Sequence, residues 1–285
     1  MVRLLPRVPS LRKSLRRSFS SSKSAEARSM QENEAKAEFA ERLGSLLDRP
    51  EPSEFACGCC ATVNRLEHTE RANSHCLFSG LELRRFRCGG CGAVFGPVPL
   101  IQCSSEELGG LYALLYRFYR EGASQPFQEK TFYLMNPSTR GEYLNYACGD
   151  WTVGVERLRS LGWHVWGFEP FQHVASEAIV TSSKKLGNKQ YDGLMSHNYI
   201  EHVQDPTAFF EDCGRLIMSG GKMAHSSACF DYVYEVSPFH LYFYCGESVP
   251  RLASRTGFSF VAEYRADQEY PGFQYVCCLL EKTRV

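Results

Sequence analysis

Two C-x-x-C pairs, Cys57-Gly58-Cys59-Cys60 and Cys88-Gly89-Gly90-Cys91, constrain this chain more than any other feature. Four thiolates at such spacing can surround one tetrahedral zinc ion, and the glycines suit the sharp backbone turns that a zinc knuckle needs. The expected ligands are Cys57, Cys60, Cys88 and Cys91. Cys59 lies inside the first pair and cannot ligate alongside both neighbours, so it stands with His75 and Cys76 as a substitute. A site closed by four cysteines leaves no position for water, which makes the expected zinc structural. Cysteines elsewhere, as in Tyr275-Val276-Cys277-Cys278-Leu279-Leu280, sit in apolar text and read as small buried hydrophobes.

With 285 residues, 44% of them hydrophobic, the chain can bury one large core and a smaller accessory one. No apolar run is long enough for a membrane span. Lys plus Arg equals Asp plus Glu at 32 each, so no overall positive field favours nucleic acid. The charge is uneven, however: Arg3, Arg7, Arg12, Lys13, Arg16, Arg17 and Lys23 precede the first acid, Glu26. Leu11, Leu15 and Phe19 recur every fourth position among these bases, which is the pattern of a mitochondrial transit peptide.

The chain divides on these signals into a disordered leader over 1–28, a linker helix within 29–53, a zinc-ribbon module over 54–100, a helical connector over 101–141 and an α/β domain over 142–285. Ser29 and Glu32 have capping-box spacing for the linker helix. A connector helix is expected around Glu106 to Arg120, carrying Tyr112, Tyr116 and Tyr119. From Glu142 short apolar runs alternate with helical stretches, the signature of a mostly parallel sheet with crossover helices.

Within that domain Tyr143 to Ala147 reads as a strand, Cys148-Gly149-Asp150 as a turn, Val153 to Leu161 as a helix, and His164 to Phe168 as a second strand closed by Glu169. Such a βαβ unit aims backbone N–H groups at a ligand from its first turn, and an acid after the second strand can accept both hydroxyls of a ribose. An adenosine-containing cofactor suits this chemistry.

The stretches Leu144-Asn145-Tyr146-Ala147-Cys148-Gly149-Asp150-Trp151 and Leu161-Gly162-Trp163-His164-Val165-Trp166-Gly167-Phe168-Glu169-Pro170 resemble class I S-adenosylmethionine-dependent methyltransferases. Tyr199-Ile200-Glu201-His202-Val203-Gln204-Asp205-Pro206 is similar to that family's E-H-x-x-D-P segment, Arg215 to Gly221 to its R-x-L-x-x-G-G turn, and His240 to Tyr244 to its H-x-x-F-F element. With the cysteine module, the whole resembles methyltransferases bearing an N-terminal zinc-binding domain, a group that includes sugar C-methyltransferases.

The resemblance implies a Rossmann-like methyltransferase domain with a mostly parallel sheet, preceded by the small zinc ribbon. It implies S-adenosylmethionine at Asn145, Ala147, Gly149, Glu169 and Asn198, and a small acceptor, saccharide-like in the sugar group. Tyr199 and His202 match residues implicated in acceptor deprotonation, with His240 a further pocket residue and His197, Tyr112 and Tyr116 weaker options. An alternative for His202 is a histidine tying its loop to Asp205. The sequence departs from the family's D-x-G-x-G-x-G turn, keeping only Gly149 and placing Trp151 where a glycine is usual. Only 21 residues separate Pro170 from Asp192, so the third strand is expected to be short or missing. A non-catalytic scaffold or assembly factor with a degenerate cofactor site is therefore the alternative function. Methylation of RNA or protein, with the ribbon recognising substrate, is a third reading that the neutral charge disfavours.

Overall fold

The computed structural model describes residues 12–119, 125–149, 153–170, 176–266 and 275–283, and side chains from residue 29 onward. Trp151 and the first eleven residues of the leader lie outside this range. The chain forms two compact units, one from residues 1–45 and 104–120, the other from 46–103 and 121–285.

The first unit is helical. Helix α1 runs unbroken over Arg12–Leu47, because no proline intervenes between Pro9 and Pro50. This corrects the expected start at Ser29: Ser29 and Glu32 lie within the helix and do not cap it. Helix α2, Ser105–Leu115, does begin with a capping box, in which Ser104 and Glu107 exchange side-chain and backbone hydrogen bonds. It ends before Arg120, its last turn tightening through Arg117 N–H to Leu114 O at 3.1 Å and Phe118 N–H to Leu115 O at 3.0 Å. Phe39 meets Phe118 edge-on at 5.7 Å, and Glu38 pairs with Arg42 at 2.6 Å.

In the second unit the cysteine module is a set of three short hairpins: Glu54–Ala56 with Val63–Arg65, Ser74–His75 with Glu82–Leu83, and Phe86–Arg87 with Val94–Phe95. One backbone turn recurs three times. Cys57, Cys76 and Cys88 each donate N–H to the carbonyl five residues on and accept from the N–H four residues on, at 2.8–2.9 Å. The fourth residue after each cysteine holds a positive φ: 61° at Ala61, 72° at Gly80 and 81° at Gly92. Only two of these turns are visible in the sequence. The third has Ser79 where a second cysteine would complete the pair.

This module is continuous with the α/β part of the second unit. Tyr242–Phe243 adds antiparallel to Val94–Phe95 as a third strand. Thr207 donates its hydroxyl to Gly58 O at 2.7 Å, and Arg255 donates to Cys59 O at 3.0 Å. Gly58 is required there, since a Cβ would fall 2.7 Å from Pro206 Cδ.

The α/β part is built on a seven-stranded sheet, whose strands we number within it: β1 Glu142–Tyr146, β2 His164–Phe168, β3 Ile179–Val180, β4 Tyr191–His197, β5 Ile217–Ser226, β6 Phe258–Arg265 and β7 Val276–Lys282. Across the sheet their order is β6-β7-β5-β4-β1-β2-β3. Strands β1 to β5 are parallel, and β7 runs antiparallel between β5 and β6. The order 3-2-1-4-5 is that of a doubly wound Rossmann sheet, with its switch point between β1 and β4. The expected Rossmann-like domain with a mostly parallel sheet is therefore present, and β3 is short, two residues long.

Helices α3 (Gln125–Leu134), α4 (Val153–Ser160), α5 (Pro206–Leu216) and α6 (Ser248–Arg255) flank the sheet sequence. The core gathers Phe132, Met135, Tyr143, Val155, Leu158, Val165 and Met195 with Cys148 and Cys277, so these cysteines behave as buried hydrophobes. Gly167 has no room for a side chain: a Cβ would sit 2.4 Å from Ile179 Cδ1 and 2.7 Å from Cys148 Sγ, which lets β2 lie against the turn after β1.

Candidate active site and metal centres

Brändén's rule places a ligand outside the carboxyl ends of the strands at the switch point. There β1 ends in Ala147 and Gly149 with φ 53° and 75°, and β4 ends in Asn198 with φ 48°. Cys148 N–H bonds Phe168 O at 3.2 Å, and Gly149 N–H donates to Glu169 Oε2 at 3.0 Å. The turn after β1 is thus tied directly to the buried acid after β2. Ala147 keeps the left-handed backbone that glycine provides more cheaply. Ala147→Gly is expected to stabilise the fold by about 0.5–1 kcal/mol, strain relief exceeding the added chain entropy. Urea unfolding checks this, and a destabilised variant would show that the alanine methyl is needed for packing.

Asn145 is buried and donates to Gln128 Oε1 on α3 at 2.8 Å, a contact that fixes α3 over the sheet. His197 accepts or donates at Ser226 Oγ, 2.9 Å away, and stacks on Phe127 at 5.5 Å. The same Ser226 hydroxyl meets Thr131 at 2.6 Å, and Thr131 meets Tyr275 at 2.9 Å, a polar chain that closes the sheet end beneath α3.

The residues expected on the acceptor side fall into two groups. Tyr199 is half-buried beside Tyr146 at 5.6 Å and Phe209 at 5.4 Å, and burial pushes its phenol up to about 12. His202 and His240 meet edge-on at 5.1 Å. His202 Nδ1 lies 3.1 Å from Phe239 O, and His240 Nδ1 lies 2.9 Å from Tyr234 O and 3.3 Å from Cys229 Sγ. Asp205 caps α5 through Ala208 N–H at 3.0 Å. Burial lowers His202 to about 4 and His240 to about 3, so both imidazoles are neutral at physiological pH. One donor atom of each ring lies within 4.8 Å of the other and of a carboxylate oxygen of the buried Glu201. Tyr112 and Tyr116 belong to the helical unit, where they stack at 6.1 Å.

Arg85, which sequence reasoning missed, holds this corner together. It is fully buried in the cysteine module and donates to Ser74 Oγ at 2.5 Å, Glu235 O at 2.6 Å, Ser237 O at 2.7 Å and His240 O at 3.3 Å. Its guanidinium also lies 5.2 Å from the centre of the Phe243 ring. An arginine in polar, basic text (Arg84-Arg85) carries no signal that it will be buried 150 residues away from its partner. Cys229 and the buried His225, bonded to Ser196 at 2.7 Å, were equally invisible.

The four-cysteine cluster consists of Cys57, Cys60, Cys88 and Cys91, as expected, and omits Cys59, His75 and Cys76. Cys57 and Cys91 sulfurs lie 3.8 Å apart, and those of Cys60 and Cys88 3.6 Å apart. A tetrahedron with Zn–S bonds of about 2.3 Å has edges of about 3.8 Å, so the donors already fit one zinc. Gly90 N–H at 3.3 Å and Asn64 Nδ2 at 3.6 Å point at the Cys88 sulfur, as donors stabilising a thiolate would.

No family model matches the sequence, and no curated protein matches it. Solved structures with a similar chain path exist. The 1,6-didemethyltoxoflavin-N1-methyltransferase of Burkholderia thailandensis, with bound 1,6-didemethyltoxoflavin and S-adenosylhomocysteine, is 12% identical with a TM-score of 0.48, over 70% of this chain and 96% of that one. The magnesium protoporphyrin IX methyltransferase of Synechocystis PCC 6803, with bound S-adenosylmethionine, is 12% identical with a TM-score of 0.41, over 58% and 88%. The N-methyltransferase NodS of Bradyrhizobium japonicum WM9, in complex with S-adenosylhomocysteine, is 11% identical with a TM-score of 0.42, over 55% and 86%. The strand order, rather than these scores, carries the fold.

Proposed function

We propose that this chain is an S-adenosylmethionine-dependent methyltransferase acting on a small, saccharide-like acceptor, with a structural zinc held by Cys57, Cys60, Cys88 and Cys91. The observation that carries the reading is the switch point itself, where the turn holding Ala147 and Gly149 is bonded to Glu169. A carboxylate has about four lone-pair sites, so the bond from Gly149 leaves Glu169 able to accept ribose hydroxyls as well. Asn198, at the end of β4, borders the same site. Asn145 acts behind the turn, through Gln128, rather than on the ligand.

When bound, S-adenosylmethionine supplies an electrophilic methyl group on a sulfonium. The chain's own residues have to align the acceptor with it, exclude water and accept a proton where the acceptor is a hydroxyl or a carbon acid. Tyr199, packed against Tyr146 and Phe209, forms an apolar wall that excludes water. His202, its Nδ1 turned to the Phe239 carbonyl, is the base that takes the acceptor's proton. His240 lines the same corner. The saccharide-like acceptor follows from the sequence resemblance around Tyr199 and His202.

Hydrogen exchange with and without S-adenosylhomocysteine tests the placement. The expected result is slowed exchange at residues 145–149, 168–170 and 197–199. Protection confined to other segments would refute the assignment.

A further inference from the structure

The geometry points to a second metal site, in which Glu201, His202 and His240 hold a divalent first-row transition-metal ion. A carboxylate oxygen and one nitrogen from each ring lie within 4.8 Å of one another. Metal–nitrogen bonds of about 2.0–2.1 Å would bring such donors to about 3.3 Å, a closure that small side-chain rotations supply.

The surroundings resemble the shell of a metal site more than that of a simple polar cluster. Ligating histidines characteristically donate their second ring N–H to a carbonyl or carboxylate, which fixes the tautomer and the ring's orientation. Both histidines are held this way. His202 Nδ1 faces Phe239 O and His240 Nδ1 faces Tyr234 O, and a carbonyl takes only a donor. Each ring therefore carries its hydrogen on Nδ1 and keeps its lone pair on Nε2, the nitrogen a metal would take.

The backbone under the three donors is also fixed. Glu201 O accepts Leu241 N–H at 2.7 Å, Ile200 O accepts the Tyr244 hydroxyl at 2.8 Å, and Arg85 grips the loop from Glu235 to His240. Both imidazoles remain partly accessible, while Glu201 is buried. Two histidines and one carboxylate leave coordination positions open for water or an oxygen of a small molecule. Arg85, the positive group in contact with His240 through its carbonyl, opposes a cation, so this site binds more weakly than the four-cysteine one. Metal binding here goes beyond methyl transfer and does not depend on it, since the ion is read without cofactor. With metal present, His202 and His240 serve as ligands, and the ion rather than an imidazole acidifies a bound hydroxyl.

Cobalt(II) is the probe. Full-length protein is stripped of weakly held metal with EDTA and titrated with Co2+, following metal uptake and visible absorption. The expected result is one equivalent that gives weak d–d bands without a thiolate charge-transfer band. His202→Ala and His240→Ala should each abolish that equivalent, and Glu201→Gln should weaken it at least tenfold. Retention of the four-cysteine metal and an unchanged near-ultraviolet circular dichroism spectrum show that each variant is folded. Wild-type protein that takes up no cobalt with such bands, or variants that are folded and bind it as wild type does, would overturn the proposal.

Discussion

Replacing Arg85 with methionine is expected to destabilise the fold by about 3–5 kcal/mol, the scale seen when one partner of a buried charged network is removed. Methionine fills much of the volume but takes the guanidinium away from the Ser74 hydroxyl and the carbonyls of Glu235, Ser237 and His240, leaving Glu235 O with the Ser74 hydroxyl at 2.7 Å and Ser237 O with the long bond from His240 N–H at 3.4 Å. A buried acceptor stranded by such a loss costs about 1–3 kcal/mol, less whatever water replaces. Arg85→Lys should recover only part of the loss, because a compact ammonium cannot span four acceptors as the planar fork does. Urea unfolding of the three proteins reads this out. A methionine variant within about 1 kcal/mol of wild type, on the order of a surface substitution, would show that the clamp contributes little.

The second large effect is expected at the four cysteines proposed to hold zinc. Cys88→Ser should yield protein without the tightly held zinc and with a strongly lowered unfolding midpoint, since structural zinc contributes about 10–16 kcal/mol to folding in isolated zinc fingers. The damage should spread beyond the knuckles, because Tyr242–Phe243 completes the module's sheet and Thr207 and Arg255 bond its first turn. Cys59→Ser should keep the metal, its sulfur being outside the cluster of four. Elemental analysis of both variants decides the assignment. A zinc content of one per chain in Cys88→Ser, or its loss only in Cys59→Ser, would contradict it.

Much of this architecture is written in local pattern. The paired cysteines, the turn after β1 and the acid after β2 are short-range signals, each specified within a few residues. The shortness of β3 is likewise legible, in the 21 residues between Pro170 and Asp192. What escaped was long-range. Arg85 reaches across 150 to 155 residues to the loop before His240, and nothing in its neighbourhood distinguishes it from the half-buried Arg84. The third knuckle at Cys76 lacks its second cysteine, so only the backbone reveals it. The start of α1 is misread because a good capping box at Ser29 competes with continuous helix-forming text on both sides. The grouping of Glu201 with His202 is legible as a motif. That His240 joins them is visible only as family resemblance, because the loop from Tyr234 to Phe239 folds it back.

Calorimetric titration with S-adenosylmethionine or its demethylated product measures directly whether the switch point binds the methyl donor. The predicted result is saturable binding to wild type. It should be weakened in Glu169→Ala by up to about 1.5–3 kcal/mol per lost charge-assisted bond, less what replacing water restores. Trp151→Gly should bind as well as wild type or better. No detectable heat for wild type at millimolar cofactor, with binding recovered in Trp151→Gly, would contradict the enzyme reading and leave a methyltransferase fold that serves as a non-catalytic scaffold.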